Sequence, residues 1–214
     1  DTGIAPGPAN GFAIDMAYCI ENFHGEIDSA MIIINPMEPW PGRYVLPIAS
    51  EFEVDILARV VDFGGIFHDD VKPGHFFKDG DHRTYRPEGW IEHGCEKLEK
   101  MRPIAEKHGL TMLQLACIWD LSQDPVKSVG PTFIQEAGDD ARPVEEKISE
   151  FAALPDVKLS PEEVETIREI GNNEGCMPLK GASTRYEGEP QPDHWPMRTE
   201  LQPLADKWGL NPAW

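Results

Sequence analysis

Apolar residues follow two patterns, and segments with one pattern alternate along the chain with segments that have the other. Residues 28–35 and 54–61 each form a continuous apolar run, which is typical of a parallel strand buried on both faces of a sheet. Elsewhere, apolar residues recur at the spacing of one helix face. Together the patterns predict a strand end before residue 8, strands at 28–35, 54–61 and 126–129, and helices at 10–22, 42–51, 89–108, 111–121, 143–153 and 160–171, with one more near 198–208. Strands that alternate with helices predict an α/β fold with a parallel sheet.

Two of the predicted helices begin with strong local signals. Thr111 is followed three residues later by Gln114, and Ser160 is followed by Pro161 and Glu163. In such a capping box the hydroxyl accepts from a helix amide, and the Gln or Glu side chain accepts from the amide of the first residue. Proline at the first helical position adds to the second signal. Both pairs therefore mark helix N-termini.

The longest stretch without a regular pattern covers residues 66–88. A loop of this length in a compact domain is usually functional, so we expect it to be mobile without ligand and to border the mouth of the site. It is rich in imidazoles and carboxylates, at His68, Asp69, Asp70, His75, Asp81 and His82. Because such groups bind divalent metals, one alternative for this chain is a metal-dependent hydrolase or isomerase. The other is that the loop is simply a solvated polar segment.

The composition limits the classes of partner. Acidic residues number 38 against 19 basic ones, and the formal net charge is −19. This charge disfavours nucleic acid and anionic membranes, which are both polyanionic. No apolar run reaches the ~18 residues of a membrane span, no signal peptide is recognisable, and the four cysteines lack a CxxC pair or zinc-site spacing. We therefore expect a cytoplasmic protein with reduced thiols.

Several stretches resemble segments of the aldo-keto reductases. Residues 27–35, IDSAMIIIN, resemble the sixth strand of that family, and residues 58–65, ARVVDFGG, resemble its seventh strand and the following loop. Residues 102–116, RPIAEKHGLTMLQLA, resemble its helix pair with the pattern IAxxxGxTxxQLAL, and residues 126–131 stand at its eighth strand. The resemblance implies the C-terminal part of a parallel (β/α)₈ TIM barrel, a fold of about 250 residues. Residues 1–174 then belong to the barrel, and 175–214 form a Pro-rich tail packed on it.

The resemblance also implies an activity and a cofactor. Aldo-keto reductases are oxidoreductases that act on a carbonyl or hydroxyl group of small organic molecules with NADP or NAD. Arg59 stands where the family places the side chain that stacks on the nicotinamide, which a planar guanidinium can do. Asp62, Gly64 and Gly65 would line the pyrophosphate path, where glycines allow the backbone to approach closely. Arg142 is the nearest candidate for a contact with a 2′-phosphate.

Other positions depart from the family pattern. Met31 replaces the usual Gln that holds the carboxamide, and Lys147 stands where Asn is common. The catalytic Asp, Tyr, Lys and His of the family lie in the first half of its barrel, and nothing in this chain matches them. We therefore assign no catalytic residue and expect the remaining strands to precede Asp1 or to come from another chain. A non-catalytic, barrel-derived binding subunit is the second alternative.

Overall fold

A parallel sheet lies at the centre of the computed structural model, which describes residues 3–4, 12–40, 42–138, 141–174 and 199–210. Its four strands follow one another in chain order: β1 Gly3–Ile4, β2 Ser29–Ile33, β3 Asp55–Arg59 and β4 Val126–Gly130. The α-helices are α1 Phe12–Phe23, α2 Val45–Glu51, α3 Trp90–His108, α4 Met112–Leu121, α5 Val144–Ala152, α6 Pro161–Gly171 and α7 Gln202–Trp208. The predicted α/β class with a parallel sheet is confirmed. Within the described ranges the sheet is open, and no closed barrel is formed.

One face of the sheet is more deeply buried than the other. Ile32 in β2 and Ala58 in β3 have no exposed surface, whereas their neighbours Met31 and Leu57 are half-buried. In the described part of the chain, β2 and β3 are therefore fully buried on one face only, and not on both faces as predicted. Side chains alternate between the two faces of a strand, so a continuous apolar run does not reveal how completely each face is covered.

Strand β3 ends earlier than the apolar run predicts. Residues 54–61 were expected to be extended, but Val60 has a φ of 60° and breaks the strand directly after Arg59. A β-branched residue at positive φ is strained, at a cost on the order of 1–3 kcal/mol. The side-chain amide of Asn35 donates to the carbonyl of Val60 at 3.0 Å and helps to hold this conformation. Strain of this kind clusters at functional sites.

The predicted capping boxes are confirmed. The Thr111 hydroxyl accepts from the Gln114 amide at 3.2 Å, and the Gln114 side-chain oxygen accepts from the Thr111 amide at 3.1 Å. Ser160 and Glu163 make the equivalent pair of hydrogen bonds at the start of α6. These local signals place α4 and α6 correctly because they depend on residues three apart and not on the tertiary fold.

The end of α6 is fastened to the loop that follows β2. A Cβ atom on Gly171 would overlap the carbonyl oxygen of Pro36, so the two backbones are in direct contact. Two residues on, the buried side-chain amide of Asn173 accepts from the amide of Trp40 at 3.0 Å and donates to its carbonyl at 2.8 Å. Lys97 of α3 donates to the carbonyl of Gly171 at 2.6 Å. These contacts fix the path of the chain as it leaves the helix.

The predicted C-terminal helix is present as α7 and packs beside α1. The indole nitrogen of Trp208 donates to the Glu21 carboxylate at 2.7 Å, and the Trp208 ring lies 6.2 Å from that of Phe52. These contacts attach α7 to α1 and to the end of α2, whereas the tail residues Trp195, Trp214 and Cys176 lie outside the described residues. None of the helices described is both long and apolar enough to cross a membrane.

Candidate site at the carboxyl ends of the strands

Several polar residues follow the carboxyl ends of the strands. Since all four strands run in the same direction, these ends meet at one edge of the sheet, called here the carboxyl edge. Asn35 and Glu38 follow β2, Asp62 follows β3, and Thr132 and Glu136 follow β4. Ligands of parallel α/β sheets bind at this edge because its loops converge there.

Asp62 joins two of these loops. Its side chain is almost fully buried; Oδ2 accepts from the amide of Gly65 at 2.9 Å, and Oδ1 accepts from the amide of Thr132 at 2.6 Å. Both carboxylate oxygens therefore already support backbone amides. Arg59, the last residue of β3, is half-buried and lies in register between Ile33 and Gly130 on the neighbouring strands. It stands at the mouth of the carboxyl edge, as the resemblance implies.

The backbone at Gly64 and Gly65 is closely surrounded by protein atoms. Gly65 has a φ of 100°, and a Cβ atom there would lie 2.7 Å from a methyl group of Val71 and 3.4 Å from a carboxylate oxygen of Glu136. The carbonyl of Gly64 accepts from Arg83 Nη1 at 3.1 Å. Glycine is needed at residue 65, but the space beside it is taken by side chains of this chain.

Arg83 occupies the centre of a buried ionic cluster. Its guanidinium is 2% exposed, pairs with Asp81 at 2.7 Å and with Glu136 at 2.5 Å, and lies 4.4 Å above the ring of Phe77. The Nε2 atom of His75 lies 3.2 Å from the same Glu136 carboxylate. Burial opposes the charge on Arg83, but hydrogen bonds to Asp81 and Glu136 outweigh it and raise the pKa of the guanidinium. The hydrogen bond from Arg83 lowers the pKa of Asp81 to about 2.

A second arginine forms a similar contact three residues later. Arg86 donates to Glu38 at 3.0 Å and lies 4.3 Å above the ring of Phe63 and 5.0 Å above that of Trp90. Glu38 in turn accepts from the side-chain amide of Asn35 at 3.0 Å. The loop after β2 is thereby connected to the long loop of residues 66–88.

Arg142 is held in place by three oxygen atoms. Its amide donates to Asp70 at 3.0 Å, Nη1 donates to the carbonyl of His68 at 2.7 Å, and Nη2 pairs with Glu150 at 2.6 Å. About a third of the side chain remains exposed. Lys147, which is fully buried on α5, pairs with the same Asp70 and donates to a backbone carbonyl. A 2′-phosphate contact from Arg142 would therefore compete with Glu150.

His68 is a buried imidazole in a single tautomer. Its Nε2 lies 2.9 Å from the carbonyl oxygen of Thr132, which only accepts, so Nε2 carries the proton. Nδ1 is then an acceptor, buried without a hydrogen-bond partner among the described residues. Burial lowers the pKa of His68, and the hydrogen bond to Thr132 opposes this only in part.

The loop residues considered as metal ligands are directed to different partners. Asp69 pairs with Arg102, Asp70 with Lys147 and Asp81 with Arg83. Over the residues described, no group of three His, Cys, Asp or Glu side chains is placed to hold a metal ion. Residues 66–88 therefore do not present the cluster of ligands on which the alternative of a metal-dependent hydrolase or isomerase was based. The carboxylates that suggested it pair with cations instead, and two of these cations, Lys147 and Arg83, are buried.

The structure brings Arg59, Asp62, Gly64 and Gly65 together at the end of β3, and places Arg142 farther along, in the loop before α5. The ionic clusters around them were not predicted, since residues 83 and 136 are paired only by the fold. Their one visible signal in the sequence was the presence of Arg83 and Arg86 close together in the long loop.

No protein-family model matches the chain, and none of the curated proteins matches it. Solved structures do match. The glycerol dehydrogenase of Gluconobacter oxydans, an aldo-keto reductase, superimposes with a TM-score of 0.57 at 17% identity, over 78% of this chain and 56% of the other. The described chain has an aldo-keto-reductase-like fold. A thermostable aldo-keto reductase bound to epalrestat gives 0.43 at 17% identity, over 67% and 39%. The Bacillus halodurans aldo-keto reductase in its holo form gives 0.40 at 16%, over 72% and 46%.

The chain spans about half the length of the aldo-keto reductase structures it matches, with shares of 56%, 39% and 46% of their chains. At these identities the likeness establishes the fold and not the chemistry. It confirms the aldo-keto-reductase-like fold that the sequence resemblance implied.

Proposed function

We propose that this chain forms part of an NAD(P)-dependent oxidoreductase of the aldo-keto reductase type. The observation that carries the proposal is the superposition on the glycerol dehydrogenase over 78% of the chain, with a TM-score of 0.57. That protein is named for a small hydroxyl compound. The substrate proposed here is likewise a small organic molecule with a carbonyl or hydroxyl group.

Arg59 is the residue proposed to contact the cofactor most directly. It is half-buried at the end of β3, beside the strained Val60, and its planar guanidinium can stack on a nicotinamide ring. When bound, the nicotinamide supplies the hydride. Asp62 supports this site indirectly, because its two hydrogen bonds hold the loop after β3 and the loop after β4 together. Arg59 and Asp62 thus fit a nicotinamide at this edge.

The space beside Gly65, where the cofactor pyrophosphate would lie, fits that group less well than the end of β3 fits the nicotinamide. Val71, Arg83 and Glu136 fill the space next to Gly65, so a pyrophosphate could pass there only after these side chains move. Glu150 likewise has to release Arg142 before a 2′-phosphate can pair with it. We therefore propose that cofactor binding is coupled to a rearrangement of residues 66–88, and that preference for NADP over NAD is modest.

The proton-transfer groups belong outside this chain in the proposed enzyme. The family's Asp, Tyr, Lys and His have no counterparts here, and the half-buried face of β2 and β3 provides the surface on which complementary strands could pack. We propose that these residues and strands come from preceding sequence or from another polypeptide. Size-exclusion chromatography and light scattering on residues 1–214 alone test this, since a stable monomer with carbonyl reductase activity would contradict it.

A non-catalytic binding subunit is a second candidate. It is favoured by the ion pairs Arg83–Glu136 and Arg86–Glu38, which fill the carboxyl edge with buried charge. Titrating the complete protein with NADPH and with NADH, monitored by fluorescence, separates the candidates. Saturable binding together with carbonyl-dependent oxidation of the cofactor supports the oxidoreductase. A folded protein that binds neither nucleotide supports the binding subunit.

A further inference from the structure

An open groove, called here the amino-end groove, lies between α2, α6 and the turn before β4. Side chains within residues 43–50, 122–125 and 164–168 line it, and its volume is about 610 Å³. Small-molecule sites measure roughly 300–1,000 Å³. Because α2 ends shortly before β3 and residues 122–125 come directly before β4, the groove lies beside the amino ends of these strands. It is therefore separate from the candidate cofactor site at the carboxyl edge.

Arg43 contributes an uncompensated cation to this groove. Its side chain is exposed, lies 5.1 Å from the centre of the Tyr44 ring, and makes no ion pair or hydrogen bond with the described residues. This is unusual in a chain with 38 acidic and 19 basic residues. Five other arginines pair with carboxylates: Arg83, Arg86, Arg102, Arg142 and Arg168. The Arg43 guanidinium is therefore available to an external carboxylate, which it can bind through two parallel hydrogen bonds.

Two further hydrogen-bond donors of the groove lack acceptors. Gln123 is 8% exposed; its Oε1 accepts from Arg168 Nη2 at 3.3 Å, whereas its Nε2 has no partner among the described residues. The Nε of Arg168 also lacks a partner there, although its Nη1 pairs with Glu165. Both atoms are shielded from solvent, so contact with a ligand requires the Gln123 side chain to rotate toward the groove. Since buried donors are normally hydrogen-bonded, the pair indicates an acceptor from elsewhere.

The carboxylates of the groove already have partners. Glu165 pairs with Arg168, and Asp124 accepts from the hydroxyl of Ser50 at 3.4 Å. The groups left without partners are therefore mainly donors, which favours a ligand rich in acceptors. The rest of the wall is apolar and consists of Leu46, Pro47, Pro125 and Val164.

We propose that the amino-end groove binds a small organic acid, with its carboxylate on Arg43 and its apolar body against the wall formed by α2 and α6. Gln123 and Arg168 donate to a second acceptor of the same ligand. A carboxylate suits the groove better than a phosphate dianion, because one unpaired guanidinium faces a chain with a net charge of −19. The site does not depend on the function proposed for the carboxyl edge.

Titration of the complete protein with three probes, followed by amide NMR, tests the site. Benzoate carries a carboxylate and an apolar ring, benzamide has the same shape without the charge, and acetate lacks the ring. We expect saturable binding of benzoate, with benzamide and acetate each at least about tenfold weaker. The amide shifts that change should lie within residues 43–50, 122–125 and 164–168.

Two variants locate the binding groups. Arg43→Gln should weaken benzoate binding at least about tenfold and leave thermal unfolding without benzoate little changed, because no ion pair is lost. Gln123→Glu should also weaken binding, since it replaces a donor by a second negative charge while keeping an acceptor for Arg168. Lys100→Gln, which removes an exposed charge on α3, is the charge-matched control and should bind benzoate like the wild type.

Unchanged benzoate affinity in Arg43→Gln, or equal affinity of the wild type for benzoate and benzamide, would overturn the proposal. Shift changes confined to residues 59–65 would overturn it too, since benzoate would then bind at the carboxyl edge. The same holds if the folded wild-type protein does not bind benzoate, the result expected when another segment of the complete protein covers the groove. If Gln123→Glu does not fold, Arg43→Gln decides alone.

Discussion

The carboxylate of Asp62 accepts a hydrogen bond from the backbone amide of Thr132 at 2.6 Å, which links the loops after β3 and β4. Its other oxygen accepts from Gly65 at 2.9 Å. A residue assigned to the cofactor path by resemblance is thus also a structural support of that path. The two roles are separable by experiment.

Asp62→Asn should lower the free energy of unfolding by about 1–3 kcal/mol. The substituted amide keeps one acceptor oxygen, but its NH₂ group faces a backbone donor, so a buried amide loses its hydrogen bond. Urea unfolding measures the loss. Asp124→Asn, at an exposed position, serves as the control. An equally small loss in both variants would show that the Asp62 hydrogen bonds contribute little.

Gly171→Ala should destabilise the fold severely, by more than ~3 kcal/mol, because the new methyl group overlaps the backbone carbonyl of Pro36. Backbone atoms cannot move aside as a flexible side chain can. Gly25→Ala is the matched control, since no atom lies within 4 Å of a Cβ there. Thermal unfolding of the two variants should differ clearly; similar midpoints would mean that the end of α6 is not packed as described.

Asp120 carries an ionisable carboxyl group in the apolar core. It is fully buried on α4, neither carboxylate oxygen has a hydrogen-bond partner among the described residues, and burial raises its pKa well above the ordinary value of 3.8. Above that value the unfolded chain ionises while the folded chain retains the proton. The contribution of Asp120 to stability is therefore present below pH ~4 and is lost as the pH rises toward the folded pKa.

Asp120→Asn removes this pH dependence. At pH 8 the variant should be more stable than the wild type, because its side chain does not have to retain a proton against the solution pH. The advantage should shrink as the pH falls toward 4. Guanidinium unfolding at several pH values is the measurement. A stability difference that stays constant with pH would contradict the burial of an ionisable carboxyl at this position.

Arg142→Ala should weaken NADPH binding several-fold and leave NADH binding almost unchanged, if Arg142 exchanges Glu150 for a 2′-phosphate. Glu150→Gln should act in the opposite direction and strengthen NADPH binding, because it removes the competing carboxylate. Dissociation constants for both nucleotides test the pair of variants. Equal effects on the dissociation constants of NADPH and NADH would show that Arg142 does not contact the 2′-phosphate.

Local sequence signals predicted much of this fold. The starts of α4 and α6 depend on residues three apart, and the apolar runs located β2 and β3 to within a few residues. The positive φ of Val60 could not be foreseen, because it is imposed by contacts such as that from Asn35. The ion pair between Arg83 and Glu136 joins residues 53 positions apart. Its partners are chosen by the tertiary fold, so the sequence left open whether residues 66–88 bind a metal or form a solvated polar loop.

The most direct test of the central claim, that a nicotinamide cofactor binds at the end of β3, is the NADPH dissociation constant of the complete protein and two variants. Arg59→Ala removes the proposed contact, and Arg43→Ala removes an exposed arginine that is not part of the proposed cofactor site. We expect saturable binding by the wild type, the same affinity in Arg43→Ala, and affinity at least about tenfold weaker in Arg59→Ala, roughly 1.4 kcal/mol, with thermal unfolding little changed. Wild-type affinity in Arg59→Ala, or no binding by the folded wild-type protein, would contradict the account.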